Sequence, residues 1–331
     1  MKNLTGLRAG IVAGIVSFFM PTATGLADNH NHDNTIIFVS GPSSEPFFGA
    51  IEKGFTLAVE QLGANGEYVA PAGWNDIVQT YTRFVEVAIA REPAAIVIGN
   101  FFPESLTPLI QEAREKDIAV VLYNSGRDNW QELGATAFIG EEPFQMGYVA
   151  GKAAHKNGVS NGICINQIAA NPVLQLRCDG YVAALEEAGG QGDTLILQSE
   201  DSNNSQRVRA TVRGILLSNP DIDGILTLAA HLGVDAVEAV ADADKADVVR
   251  VGTIDLSNLA LELIREGRMD FAIDQQPFLQ GYYGVLLAQQ HLDFGLAPTN
   301  AMNSGPLLID SSNVNDVLAV GSRFPGVRGA N

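Results

Sequence analysis

The chain has 331 residues, of which 46% are hydrophobic and 18% charged, and its formal net charge is −18. This composition is typical of a folded globular protein and excludes a disordered chain. The excess of negative charge repels nucleic acid and anionic lipid, which argues against a nucleic-acid-binding role.

The first residues have the pattern of an export signal. Lys2 and Arg8 precede an apolar run over residues 9–20, and small residues follow up to Ala27. A basic start, a short apolar centre and a small-residue end predict a cleavable signal peptide over residues 1–27. An N-terminal membrane anchor is the alternative, although the apolar run is short for a bilayer span.

The rest of the chain alternates strand and helix patterns. Runs rich in β-branched residues predict strands at residues 35–40, 94–99, 118–123, 162–168, 194–199, 224–228 and 248–254. The intervening stretches have helical apolar periodicity; the first two carry stripes from Phe48 to Leu62 and from Ile77 to Ala88, and the others begin near Glu104, Phe144, Gln175, Ser205, Leu232, Ser257 and Phe278.

Alternation of this kind predicts parallel sheets covered by helices on both faces, an α/β fold. There are too many strand–helix units for one compact sheet. Two similar lobes, each with a parallel sheet, agree better with the length of the chain. An eight-stranded β/α barrel is the alternative, and about ten strand candidates after the signal peptide argue against it.

Polar and aromatic residues follow several of the predicted strands. They lie at residues 43–48, 100–102, 124–128 and 255–258. Ligands of open α/β sheets bind beyond the carboxyl ends of the strands, so a binding cleft is predicted there.

Two adjacent rings, Phe47 and Phe48, stand where the first strand gives way to a helix. A helix buries one stripe, so we expect one ring to pack into the lobe and the other to project into the cleft. The alternative is that both rings belong to the core. Aromatic rings beside Asp, Asn, Gln and Arg side chains are typical of a carbohydrate pocket, because sugars have apolar ring faces and a rim of hydroxyls.

Motifs of catalysis and cofactor binding are missing from the sequence. There is no phosphate-binding glycine loop, no dinucleotide fingerprint and no serine nucleophile elbow, and no strand-end carboxylate has an evident partner for proton transfer. We therefore predict a binding protein without catalytic residues or a cofactor. An exported α/β enzyme is the alternative.

The histidines give no metal site on pattern alone. His30 and His32 lie close together just after the signal peptide, where a weak metal site is the alternative to a solvated terminus, and we predict no metal. His231 follows a predicted strand and opens the next helix, so it is either a ligand contact or an ordinary polar helix start.

Cys164 and Cys178 are the only cysteines. A single pair in an exported chain predicts a disulfide. Two buried thiols are the alternative.

Four segments resemble the type I periplasmic binding proteins, in their ribose-binding branch. They are EPFFGAIEKGFTLAVEQLG (45–63), PAAIVIGNFFPESLTPLIQEAREKDIAVVLYNSG (93–126), RCDGYVAAL (177–185) and VGTIDLSNLALELIREGRMDFAIDQQPFLQGYYG (251–284). The segments come in the order and at the spacing of that family, and the resemblance covers about residues 35–315.

The resemblance implies two Rossmann-like lobes joined by a three-segment hinge. The crossings fall near Ile139, Gln275 and Gly305. The N-terminal lobe is then expected at residues 34–139 plus 276–305, and the C-terminal lobe at residues 140–275 plus 306–331.

The resemblance also implies ligand-binding positions: Glu45, Phe47, Phe48, Asn100, Asn124, Ser125, Arg177, Asp255 and Gln275, to which the strand-end argument adds His231. Asn124 and Ser125 stand where the ribose branch has Asp and Arg. Losing that charged pair changes which hydroxyls are recognised, so the expected ligand is a small sugar or polyol and is not fixed as ribose.

The implied role is a periplasmic substrate-binding protein that closes its hinge on a sugar and delivers it to an ABC importer. Its expected partners are the sugar and a permease in the inner membrane, and we expect a monomer. A periplasmic sensor that presents its ligand to a membrane receptor is the alternative. Sugar-responsive repressors share the fold, but they carry a helix-turn-helix where this sequence has a signal peptide.

Overall fold

The structure is a computed structural model that describes residues 34–198 and 201–330. The predicted signal peptide, with His30 and His32, lies outside the described residues. Among the helices of the described part, none is long and apolar enough to cross a membrane.

The described strands are β1 (Thr35–Val39), β2 (Asn65–Val69), β3 (Ala95–Ile98), β4 (Ala119–Tyr123), β5 (Ala137–Gly140), β6 (Asn161–Asn166), β7 (Gln191–Ile196), β8 (Gly224–Thr227), β9 (Arg250–Ile254), β10 (Phe271–Asp274), β11 (Met302–Asn303) and β12 (Leu307–Asp310).

The described helices are α1 (Pro46–Leu62), α2 (Ile77–Ala90), α3 (Pro103–Glu115), α4 (Pro143–Lys156), α5 (Pro172–Glu187), α6 (Ser205–Ser218), α7 (Ala230–Asp242), α8 (Asn258–Arg265), α9 (Pro277–Phe294) and α10 (Val314–Arg323).

The strands form two sheets with the same order. The first runs β2-β1-β3-β4-β5-β11 and is parallel; the second runs β7-β6-β8-β9-β10-β12 and is parallel except for the pair β10–β12. Two open sheets confirm the predicted α/β fold with two lobes. They exclude the barrel, in which the strands would close on themselves.

The chain passes between the sheets three times, after β5, after β10 and after β11. Hydrogen bonds join these passages: Ser304 Oγ donates to the carbonyl of Gly140, and Gln280 Nε2 donates to Ser304 Oγ. Gln276 Nε2 donates to the carbonyl of Ser304. The three crossing segments therefore share one polar network.

Glycines allow the helices of each lobe to pack closely. A Cβ on Gly54 would lie 2.0 Å from the carbonyl oxygen of Phe278, so α1 and α9 touch through their backbones. In the second lobe a Cβ on Gly147 would lie 1.7 Å from the carbonyl oxygen of Arg177. The approach of α4 to α5 therefore fixes the part of α5 that carries Arg177.

The predicted disulfide is present between Cys164 on β6 and Cys178 on α5, with the Cα atoms 5.4 Å apart. Both residues are fully buried. The bond ties α5, one residue after Arg177, to β6, an interior strand of the second sheet.

The predicted strand runs miss the edge strands β2, β11 and β12 and also the interior strands β5 and β10. β2 was not predicted, because NGEYV carries Asn, Gly and Glu, which disfavour strands, and an edge strand tolerates them. β7 begins at Gln191, three residues before the predicted run 194–199, and its residues alternate in exposure. At both edges, pairing with a central strand decides the structure more than composition does.

The end of the chain returns to the hinge. Arg328 donates from Nε to Asp274 Oδ2 at 2.9 Å, and the Asp274 side chain is only 1% exposed. The other oxygen, Asp274 Oδ1, accepts from the backbone N–H of Gln276 at 2.7 Å. Burial raises the pKa of Asp274 even with the Arg328 guanidinium against it.

Replacing Arg328 should therefore destabilise the whole chain. Arg328→Met leaves a buried carboxylate without its cation, which costs about 3–5 kcal/mol of unfolding free energy. Urea unfolding at neutral pH measures the loss. The matched control is Arg83→Met, which breaks an exposed ion pair with Glu86 and should cost under about 1 kcal/mol. Equal effects of the two changes would contradict a structural role for Arg328.

Candidate functional site

A cavity of about 110 Å³ lies between the two lobes, beyond the carboxyl ends of β1, β3, β4, β6, β8, β9 and β10. Rings from the first lobe cover one side of it: Phe47, Phe48, Trp74, Phe101 and Phe102. The rings of Phe47 and Phe48 meet edge to face with centroids 5.0 Å apart. Each of these two side chains is 8% exposed, and both border the cavity. The pair is therefore not divided into one core ring and one cleft ring.

Packing within the first lobe holds Phe48 in place. Its ring lies 6.2 Å from that of Phe101, edge to face, and 6.3 Å from that of Trp74. A Cβ on Gly41 would lie 2.1 Å from the Phe48 ring, so a side chain at residue 41 would displace it. These contacts fix the position of Phe48 within the group of five rings, which we call the ring wall.

Gln275, just after β10, sits at the centre of the polar side of the cavity. Its Oε1 accepts from Asn124 Nδ2 and from Arg177 Nη2, both at 2.9 Å, and its Nε2 donates to Asp255 Oδ1 at 2.6 Å. The three partners come from the ends of β4 and β9 and from α5, so one buried amide joins residues of both lobes. These contacts leave a single orientation for the amide.

The turns that present two of these partners have the same backbone conformation. Asn124 has φ 59° and Asp255 has φ 71°, in the left-handed region. Asn and Asp enter that region more readily than other residues with a side chain. Each residue follows a central strand of its own sheet, so the two sites correspond in the two lobes.

Arg177 forms a buried ion pair with Glu141. Its Nε and Nη2 donate to Glu141 Oε1 at 3.1 and 2.7 Å, and the side chains are 4% and 0% exposed. Burial raises the pKa of Glu141, although the guanidinium opposes that shift. The pair, together with the bond to Gln275, holds the guanidinium of Arg177 at the cavity wall.

Asp255 is an electrostatically unusual carboxyl. Burial raises its pKa to about 7, more than Arg177 and the Gln275 amide lower it, and the charges of Asp274 and Glu45 add to the increase. Near neutral pH this group therefore exists in both protonation states and can accept or donate a hydrogen bond.

Glu45 contacts both lobes at the cavity edge. Its Oε1 accepts from Trp74 Nε1 at 2.8 Å, and its Oε2 lies 3.8 Å from His231 Nδ1 on α7. His231 Nε2 is buried and has no hydrogen-bond partner among the residues that the structure describes. The Glu45–His231 contact spans the cleft.

Most of the residues predicted from sequence meet at this cavity. Those that line it are Glu45, Phe47, Phe48, Asn124, Arg177, His231, Asp255 and Gln275. Asn100 and Ser125 do not line it. Ser125 is fully buried behind Asn124, and Asn100, 2% exposed, faces a neighbouring cavity.

The sequence analysis missed further lining residues. Trp74 follows the unpredicted strand β2, and Asn171, Ser202 and Asn203 lie in loops of the second lobe. Asn171 could have been found as the helix cap before Pro172, since its Oδ1 accepts from the N–H of Val173. Glu141 gives no such signal, because an acidic residue after a strand usually faces solvent.

In the described ranges, no group of three or more His, Cys, Asp and Glu side chains could hold a metal ion. The cavity therefore combines hydrogen-bond donors, hydrogen-bond acceptors and aromatic rings.

Comparison with known proteins identifies the architecture. Residues 36–296 match the family model described as periplasmic binding protein domain. Over 308 residues the chain is 24% identical to the xylose/arabinose-binding protein XylF of Sulfolobus acidocaldarius, covering 88% of this chain and 74% of that protein. It is likewise 24% identical to the D-ribose/D-allose-binding protein of Pseudomonas aeruginosa, over 87% of this chain and 92% of that protein.

A solved structure is similar throughout. The carbohydrate transporter of Acidothermus cellulolyticus, in complex with myo-inositol, superposes with a TM-score of 0.80 at 27% identity, covering 90% of this chain and all of that one. The two-lobed arrangement is thus shared over almost the whole described chain.

The raised pKa of Asp255 predicts a measurable pH dependence. The folded chain holds a proton on Asp255 that the unfolded chain releases between about pH 4 and pH 7. The contribution of this proton to the free energy of unfolding is complete below about pH 4, and it is lost as pH rises through 7. Asp255→Asn does not titrate, so its melting temperature should rise relative to the wild type between those limits.

Melting curves of the two proteins without ligand, at a series of pH values from about 4 to 8, test this expectation. The difference between the two proteins cancels the titration of other groups. A difference in melting temperature that stays constant with pH would show that Asp255 has an ordinary pKa.

Proposed function

The chain belongs to the periplasmic binding protein family, and on that premise we propose that it captures a small sugar or polyol between its lobes and delivers it to an ABC importer. The lobes are residues 34–139 plus 276–305 and residues 140–275 plus 306–331. The observation that carries the proposal is the cavity around Gln275, to which both lobes contribute polar side chains.

The chemistry of the cavity suits a polyhydroxylated ring. Arg177 supplies N–H donors, and Asp255 and Glu45 supply acceptors that can bind two hydroxyls at once. The ring of Phe47 and the other aromatic rings of the first lobe offer apolar surface to the ring face of a sugar. Hydrogen bonds to charged groups contribute about 1.5–3 kcal/mol each, enough to select among hydroxyl arrangements.

The names of the relatives support the ligand class without choosing one member. They refer to xylose and arabinose, to ribose and allose, and to myo-inositol, which are all small polyhydroxylated molecules. Asn124 and Ser125 replace the charged pair expected from the ribose branch, so selectivity here rests on Asp255, Arg177 and Glu45.

Capture is proposed to occur by hinge closure. The ligand docks on the ring wall of one lobe, and closure brings Arg177 and Asp255 from the other. The contact of Glu45 with His231 across the cleft supports a closed state with direct bonds between the lobes. Contacts formed only after closure set how far the ligand shifts the population.

The remaining parts of the proposal concern the cell. Residues 1–27 are removed on export, and the mature chain acts in the periplasm as a monomer. It docks on a permease in the inner membrane and returns its ligand chemically unchanged.

A thermal-shift screen of the chain from Asp28 onward tests the function. The panel contains xylose, arabinose, ribose, allose and myo-inositol, with an amino acid mixture as the control. A ligand that binds the folded state raises the free energy of unfolding by mass action, by about 2.7 kcal/mol when its concentration is a hundred times its Kd. The melting temperature rises accordingly. No shift with any sugar or polyol, or conversion of the sugar during incubation, would contradict the proposal.

Asp255→Ala should weaken binding of the stabilising sugar by about tenfold or more, because it removes a charged hydrogen bond. Calorimetry measures the affinity, and a cooperative melt shows that the variant is folded. Asp316→Ala, an exposed carboxylate on α10, is the control and should bind as the wild type does. Equal affinities of the two variants would remove Asp255 from the binding site.

A further inference from the structure

A short segment that follows α10, residues 326–330, lies between the two lobes, and we call it the strap. It forms a compact turn. The N–H of Gly326 donates to the carbonyl of Ala330 at 2.8 Å, and the N–H of Gly329 donates to the carbonyl of Gly326 at 3.3 Å. Gly326, Gly329 and Ala330 are all buried, so the turn packs as one unit against its surroundings.

The strap is anchored in the second lobe by two contacts. Arg328 donates from Nε to Asp274 Oδ2, at the end of β10, at 2.9 Å. Ala330 is 2% exposed and belongs to an apolar core of the second lobe that also contains Leu256. Separating the arginine from a buried carboxylate is unfavourable, so we expect the strap to move with the second lobe.

On its other side the strap touches the first lobe at the start of α1. A Cβ placed on Gly329 would lie 3.7 Å from the carbonyl oxygen of Pro46 and 3.8 Å from the Cα of Phe47. The same Cβ would lie 3.4 Å from the carbonyl oxygen of Leu256, in the second lobe. Gly326 borders a surface groove together with Pro46. The backbone at Gly329 is therefore in contact with both lobes.

The positions that the strap touches carry binding residues. Phe47 lines the cavity from the first lobe, and Leu256 directly follows Asp255, which lines it from the second. Gly329 has φ 75°, in the left-handed region that favours glycine, so a residue without a side chain occupies the narrow gap between the two turns. If the cleft opens, the strap must separate from the start of α1.

We propose that the strap holds the turn of Phe47 and the turn of Asp255 together across the cleft and thereby stabilises the closed state, with Gly329 as the positioning residue. This inference rests on the proposed function. None of the described strap residues lines the cavity, so the strap acts on affinity without touching the ligand. It does so because contacts formed only after closure set how far a ligand shifts the population.

The test inserts a side chain into the gap with Gly329→Leu. The matched control is Gly295→Leu, just after α9, because Gly295 also has a left-handed backbone, with φ 65°, and no described atom lies within 4 Å of a Cβ placed there. Calorimetry and stopped-flow kinetics use the panel sugar that most raises the melting temperature of the wild type. Melting curves show which variants fold, and the pair Gly329→Ala and Gly295→Ala carries the test if a Leu variant does not.

Both Leu variants should melt at a lower temperature than the wild type, because each places a side chain in a left-handed backbone. Only Gly329→Leu should weaken sugar binding, by about tenfold or more, because the inserted side chain keeps the two turns apart. The loss should lie in faster dissociation, with an association rate within about twofold of the wild type. Gly295→Leu should bind within about twofold of the wild type.

Equal affinities of Gly329→Leu and Gly295→Leu would overturn the role of the strap and leave the proposed function standing. A loss of affinity that came only from slower association would overturn it too, since the strap would then act on ligand entry and not on the closed state. No binding of any sugar or polyol of the panel by the wild type would overturn both.

Discussion

One buried amide organises the cleft. Gln275 accepts from Asn124 and Arg177 and donates to Asp255, so a single side chain fixes polar groups that belong to two lobes. A primary amide is suited to this position because it offers acceptor and donor sides without adding charge. A charged residue there would disturb the balance of the Arg177–Glu141 pair and of Asp255.

The fold creates the position that Gln275 occupies. Both sheets place their strands in the same order, and in each the chain crosses to the other lobe from a strand near one edge. The carboxyl ends of the strands therefore face one another across the crossings. Glycines that bring α4 onto α5, together with the disulfide at Cys178, hold Arg177 against this junction. The contacts that stabilise the second lobe thus also position the residues of the proposed binding site.

How much of this could be predicted depends on where each residue lies. Asn124 and Asp255 follow central strands whose apolar runs are plain in the sequence. Gln275 follows β10, which the apolar runs did not predict, and only the family resemblance indicated this residue. Trp74 follows an edge strand of weak composition, and its place in the ring wall arises only from tertiary packing. Strand-end position alone also does not say which cavity a side chain faces, as Asn100 shows.

The central claim is that one ligand binds both lobes through the residues around Gln275. A crystal structure of the chain from Asp28 with the sugar that most raises its melting temperature tests this directly. The account predicts density for a ring between Phe47 on one side and Arg177 and Asp255 on the other, in a closed cleft. Density on the outer surface, or contacts with one lobe only, would contradict it.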